Sequence, residues 1–209
     1  MSIAMFAAVP VANAQFNKAQ MKEQQEKTKM SRDQLNKKAS KDARNEAKRL
    51  AKEGWKPAPG GLPLEKQLDR SYIMMYEQDD NYQNKFLTAE AMSIGNSFDA
   101  AKMQALELAK QSLAGQIQTE ATAIVENTLS NQQLDPGQAV SVTESMSKGK
   151  TFTSQTLGRT IPVVEVYRDL PNGNKEVLVR IFYEASNVRR MANQAIRDQM
   201  KQDATRLAE

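Results

Sequence analysis

Val163-Val164-Glu165-Val166-Tyr167-Arg168 and Glu176-Val177-Leu178-Val179-Arg180-Ile181-Phe182-Tyr183 flank the segment Asp169-Leu170-Pro171-Asn172-Gly173-Asn174. The two flanking runs are rich in β-branched and aromatic residues, which suit a pleated, half-buried surface. Asn-Gly between such runs is a strong hairpin signal, because both central turn positions can adopt positive φ. The spacing therefore predicts a β-hairpin over residues 163–183. A third strand is predicted upstream, at residues 86–94. Phe86, Thr88, Glu90, Met92 and Ile94 alternate onto one of its faces. Leu87, Ala89, Ala91 and Ser93 take the other, and they are small enough for a helix to pack closely.

Gly95-Asn96-Ser97 breaks that strand, and Ser97 offers an N-cap. A long helix is predicted over residues 98–129, with Ala101, Ala105, Leu106, Ala109, Leu113, Ile117, Ala121 and Ile124 as its buried stripe. Gly115 is its weak point, read as a close crossing or a kink. Asp135-Pro136-Gly137 is a turn. Residues 138–157 carry strand-like and helix-like patterns together and are read as a second helix, broken near Gly149. A last helix covers residues 185–207, with Val188, Ala192, Ile196 and Met200 on one stripe. Together these elements predict an α+β body over residues 69–209: a small antiparallel sheet covered by the long alanine-rich helix. Leu113 and Ile117 are expected against Val164, Val166, Val177, Val179 and Ile181.

The N-terminal quarter has a different character. Residues 3–12 are apolar, and Ala12-Asn13-Ala14 before Gln15 has the small-x-small form of a signal-peptidase site. Residues 1–14 are therefore expected to be a secretory signal, too short to span a bilayer. No Lys or Arg precedes Lys18, so the basic n-region expected of such a signal is missing, as a start codon placed too late or a trimmed n-region would explain. An address in the periplasm or at the outer membrane follows. Residues 15–53 form a Lys/Gln/Ala-rich arm, in which twelve basic residues face six acidic ones. That surplus exceeds the net +4 of the whole chain, so the remainder is slightly acidic. A helix is predicted over residues 31–53, with Ala39, Ala43, Ala47 and Leu50 as a narrow stripe and Gly54 as its stop. Residues 54–68 contain three prolines and read as an extended linker. Residues 64–77 are read as helical, and Asp79-Asp80-Asn81 as a turn.

The candidate interaction residues are Trp55, Lys37, Lys38, Lys41, Arg44 and Lys48. Trp55 is the only tryptophan, read chiefly as an anchor pinning the linker to the body and otherwise as a ligand platform. The arm is open to three readings. It can be a solvated helix docking its alanines on the body or a partner, a peripheral element on anionic lipid, or a nucleic-acid surface. The last is disfavoured because acids interleave with the lysines and no aromatics alternate with them. A protein partner or self-association is expected.

The 209-residue chain contains no His and no Cys. Imidazole bases, triads, thiol nucleophiles and zinc knuckles are thereby excluded. Gly149-Lys150-Thr151 is not a phosphate loop, because Glu144 stands where the first glycine is required. Glu77, Asp79 and Asp80 lack the glycine and terminal Glu of a calcium loop. No linear signal marks a carboxylate pair for glycoside hydrolysis, so a hydrolase of envelope polymers stays a minor alternative. The expectation is a non-enzymatic protein with no cofactor and no metal.

Thr88-Ala89-Glu90-Ala91-Met92-Ser93-Ile94-Gly95-Asn96-Ser97, followed by a helix carrying Ala101, Ala105, Ala109, Lys110, Leu113 and Ala114, resembles the LPP-type twenty-kilodalton envelope lipoproteins and the N-terminal domain of the flagellar assembly protein T. Ser154-Gln155-Thr156-Leu157-Gly158 and Val177-Leu178-Val179-Arg180-Ile181 are similar to the passage into that family's hairpin and to its second strand. The resemblance covers roughly residues 86–185. It implies an envelope location and a binding or assembly role, and no catalytic residue. Lipid attachment is not implied, because no Cys follows the signal.

Overall fold

The computed structural model describes residues 37–131, 157 and 159–208. The signal-like residues 1–14, arm residues 15–36, the Asp135-Pro136-Gly137 turn, residues 138–156 and the Gly-Lys-Thr tripeptide lie outside them. Residues 40–209 make up one compact unit, and residues 1–39 another. In chain order the elements of the larger unit are α1 (Lys41–Lys52), β1 (Lys56–Pro57), α2 (Leu64–Tyr76), β2 (Phe86–Gly95), α3 (Phe98–Asn131), β3 (Ile161–Asp169), β4 (Lys175–Glu184) and α4 (Ala185–Ala208). The fold is α+β, with an antiparallel four-stranded sheet in the order β1-β3-β4-β2.

The hairpin forms where its turn chemistry places it. Gly173 has φ of 83°. Its N–H donates to the Leu170 carbonyl, and the Leu170 N–H donates to the Asn174 carbonyl. The strands run slightly beyond the predicted residues, and β3 carries a register shift between Pro162 and Val164. β2 pairs with β4 without interruption from Phe86↔Glu184 to Gly95↔Lys175.

The two faces of the sheet are covered by different helices. On one, Ala89, Val177, Val179, Ile181 and Tyr183 join α3 and α4 in the main core. This is the small-residue face of β2, as its alternation predicts. Ser93 Oγ donates to Gln104 of α3 at 2.7 Å. Gly95 lies so near α3 that an added Cβ would meet the Ala101 nitrogen at 2.8 Å. Val164 and Val166 are buried on the opposite face. Their cross-strand partners are Arg180 and Leu178, and Arg180 reaches Ser71 of α2. The expectation that these two valines lie against Leu113 is therefore corrected. Their side chains follow the strand's period of two to the α2 side, after the shift between Pro162 and Val164 has reset the register.

Within α3, Ala101, Ala105, Ala109, Leu113, Ile117, Ala121 and Val125 are all fully buried. Leu106 and Ile124 pack only along the margin, so Val125 replaces Ile124 in the predicted stripe. The spacing is four throughout. At 100° per residue each step turns the stripe by about 40°, and six steps turn it by about 240°. A stripe of that kind can meet two neighbours in succession. The 34 residues of α3 rise about 51 Å, whereas the ten of β2 span about 33 Å. The helix overruns the sheet, and α4 supplies the extra surface through Val188, Ala192 and Ile196. Met200, the fourth predicted member of the α4 stripe, has its side chain outside the described set.

Gly115 makes no close crossing. It is exposed, and a Cβ there meets nothing within 4 Å. The helix continues through it, and Thr119 Oγ1 donates to its carbonyl at 3.1 Å. Glycine at this position only adds backbone freedom to the unfolded chain. Gly115→Ala is expected to stabilise the protein by about 0.5–1 kcal/mol. Urea titration should show a higher midpoint with an unchanged slope.

Of the predicted arm helix, residues 31–36 lie outside the described residues, and the described helix starts at Lys41. Residues 37–40 are not helical. Ser40 stops the helix as its N-cap, its Oγ accepting from the Ala43 N–H at 3.3 Å. The Ser40 N–H itself donates to Asp69 of α2. Ala43 and Ala47 are buried as the stripe predicts, while Leu50 is half-buried. α1 packs against α2. The predicted linker also contains a strand: Lys56 and Pro57 pair with Tyr167 and Val166. A two-residue strand containing proline leaves no periodic signal, and it exists only because β3 offers it an edge.

Candidate functional site

Trp55 lies on this second side of the sheet. It follows the C-terminus of α1 and donates its backbone N–H to the Leu50 carbonyl at 3.0 Å. Its side chain is 5% exposed, and the Arg168 guanidinium sits 4.8 Å from the ring centroid. Arg168 is held in turn by Glu176 at 2.6 Å. A buried indole with a cation over its face anchors the chain between α1 and β1. It presents no open ring to a ligand.

Lys41 and Lys48 are exposed on α1, and Arg44 is half-buried. With Lys52, these residues fall within roughly an 80° arc of the helix, centred about 120° around from the buried Ala43 and Ala47. They form a cationic stripe along one flank of α1. Arg49, outside this stripe, is held by Glu46 and Glu53. Lys37 and Lys38 are exposed and belong to the other unit. The structure thus brings Lys41, Arg44 and Lys48 together and keeps Trp55 apart from them.

Among the described residues, two further grooves stand out. The larger, of about 400 Å³, runs beside the outer edge of β3, with Gly60-Gly61-Leu62, Arg70, Phe98, Lys102 and Glu165 among its walls. Lys102 and Glu165 pair across it at 2.7 Å. Gln67, 4% exposed, donates to the Leu62 carbonyl at 2.7 Å and accepts from the Glu165 N–H at 2.8 Å. That single amide fixes the loop, α2 and β3 to one another. The smaller groove, about 320 Å³, lies beside the Asp79 turn. Asp79 Oδ1 accepts from the N–H groups of Asn81 and Gln83, and Oδ2 pairs with Arg189 of α4 at 2.6 Å. The Asp79-Asp80-Asn81 segment is a turn, as its composition predicts, and its first carboxylate is fully used in closing that turn and docking α4.

The ionisable groups respond accordingly. Hydrogen bonds from Gln83 and, less strongly, Asn81, with the nearby Arg189, hold Asp79 below the usual carboxylate range against the opposing effect of burial. Lys175 and Lys56 do the same for Asp169, and Arg49 for Glu46. Lys56 is pushed up by Asp169, and Lys85 by Glu77. Burial raises the phenols of Tyr72 and Tyr183. Every one of these displacements is away from neutrality.

Arg180 is the residue that sequence reasoning passed over. It sits between Val179 and Ile181 in an otherwise apolar stretch, opposite Glu90, the only charged residue of β2. Its guanidinium donates to Glu90 at 2.8 Å and to the fully buried Ser71 at 2.8 Å. A lone arginine and a lone glutamate in two apolar strands are a legible signal for a cross-strand pair. Ser71 and Gln67 were legible in the same way, as polar residues on the Leu64/Leu68 stripe of α2. No protein-family model, curated protein or solved structure matches this chain. Among the described residues, no helix is long and apolar enough to cross a membrane.

Proposed function

We propose that this protein is an exported envelope protein with a non-catalytic binding or scaffold role. The observation that carries the reading is how its charged side chains are used. Lys56–Asp169, Lys102–Glu165, Arg180–Glu90 and Arg189–Asp79 each tie one part of the fold to another. A general acid or base works best with a pKa near the operating pH. The displaced groups here move the opposite way, which suits structural ion pairs. The exposed Lys41 and Lys48 add a surface suited to an acidic partner. The apolar residues 3–12 and the Ala12-Asn13-Ala14 site support the address, and the resemblance over residues 86–185 supports the role.

N-terminal sequencing of the protein from an envelope fraction is the test. The mature chain is expected to begin at Gln15. A cytoplasmic protein retaining residues 1–14 would overturn the reading. Crosslinking in intact envelopes should then recover a partner from the same fraction.

A further inference from the structure

The sheet ends in two unlike edges. On the β1 side the outer strand is two residues long, Lys56 and Pro57. Just beyond it, the Glu165 carbonyl accepts from Ala58 and the Glu165 N–H donates to Gln67. A short strand, a lysine, a proline and a covering side chain are the devices that keep an edge from pairing. The β2 side has none of them. Its ten residues, Phe86–Gly95, contain no Pro and no Lys, and their pairing with β4 has no bulge. The only charge, Glu90, is held by Arg180 of the adjacent strand. Among the described residues, no strand pairs with the outer edge of β2. Exposed apolar side chains gather beside it. Met92 and Ile94 are 53% and 51% exposed on one face. On the other, Leu108 is 41% exposed, one turn beyond the Gln104 that bonds Ser93.

We propose that a second copy of this chain pairs antiparallel with β2 and continues the sheet about a two-fold axis at Ala91. A two-fold dimer joins the same patch on both copies, so the strand must complement itself. The axis stands perpendicular to the sheet, which keeps each face on its own side and allows only registers that oppose residues of equal parity. An axis at Glu90 sets carboxylate against carboxylate, an unfavourable cross-strand pair. An axis at Met92 shortens the overlap to residues 89–95. The axis at Ala91 overlaps residues 87–95 and meets neither obstacle. On the α3 face it places Ala91 beside Ala91, Ala89 beside Ser93 and Leu87 beside Gly95. On the other face Ile94 of each copy lies beside Thr88 of the other, and Met92 beside a Glu90 already neutralised by its own arginine. The dimer covers the exposed Met92 and Ile94. It stands independently of the export reading.

The absence of cysteine makes the register directly testable in the full chain. Opposed residues in an antiparallel pair have Cα atoms about 4.5–5.5 Å apart, within disulfide range. Ala91→Cys should therefore give a disulfide-linked dimer under mild oxidation. Ile94→Cys should not, because its two copies would lie about 20 Å apart along the strands. Sedimentation velocity of the unmodified protein should show a dimer. Ile94→Lys, at an exposed position that leaves the fold intact, should weaken it about tenfold or more by placing a charge in the new sheet. A protein that is monomeric throughout the micromolar range overturns the proposal. So does a dimer that ignores Ile94→Lys, or one that crosslinks through residue 94 and not through residue 91.

Discussion

Leu113→Ala should lower the unfolding free energy by about 2–5 kcal/mol, the range for truncating a large aliphatic side chain in a packed core. Leu113 is fully buried at the middle of the α3 stripe. Its neighbours one turn away, Ala109 and Ile117, are equally inaccessible. The alanines of the stripe let the helix approach the sheet closely, so little slack is left to fill the space that a shortened residue 113 would open. The loss is a large share of the ~5–15 kcal/mol that holds a typical domain together. Lys48→Ala, on the exposed face of α1, should cost under about 0.5 kcal/mol. Chemical denaturation of both variants makes the comparison. If Leu113→Ala left the midpoint unchanged, α3 would not be the central core element.

The main layer was legible because its signals are local. Alternation in β2, Asn-Gly in the hairpin and alanines at fixed spacing in α3 each act over a few residues, and all agree. The other layer was less legible. α2 was readable as a helix, but nothing in its sequence says which face of the sheet it covers. That depends on Arg180, whose partners Glu90 and Ser71 are 90 and 109 residues away. β1 depends wholly on a long-range pairing. Val164 and Val166 were assigned to the wrong face because the register shift after Pro162 falls inside an almost continuous valine run, where hydrophobicity gives no parity. The candidate site divided along the same line. The basic stripe on α1 follows from helical periodicity alone. The enclosure of Trp55 needs Arg168, which arrives from a strand more than a hundred residues later.

The second layer carries the other large expected effect. Phe182→Ala should cost about 3–5 kcal/mol. Phe182 is fully buried, and its ring meets Phe86 edge-on with centroids 6.2 Å apart. It points away from Leu113, because its β4 neighbours Ile181 and Tyr183 face α3. Trp55 makes the layers separately observable. Its fluorescence reports the α1–β1 junction, whereas far-ultraviolet circular dichroism is dominated by the helices, α3 above all. Both probes should unfold at one midpoint in the parent protein. Phe182→Ala and Leu113→Ala should each move both midpoints together. The physical reason is that the two layers share one sheet: each residue of β4 on one face is covalently bound to neighbours on the other. Arg180 further ties β4 and β2 to α2. A layer of loosely attached helices would behave otherwise, with Phe182→Ala displacing the Trp55 transition to lower denaturant while the dichroism transition stayed in place. Coincident transitions are the mark of a single cooperative unit.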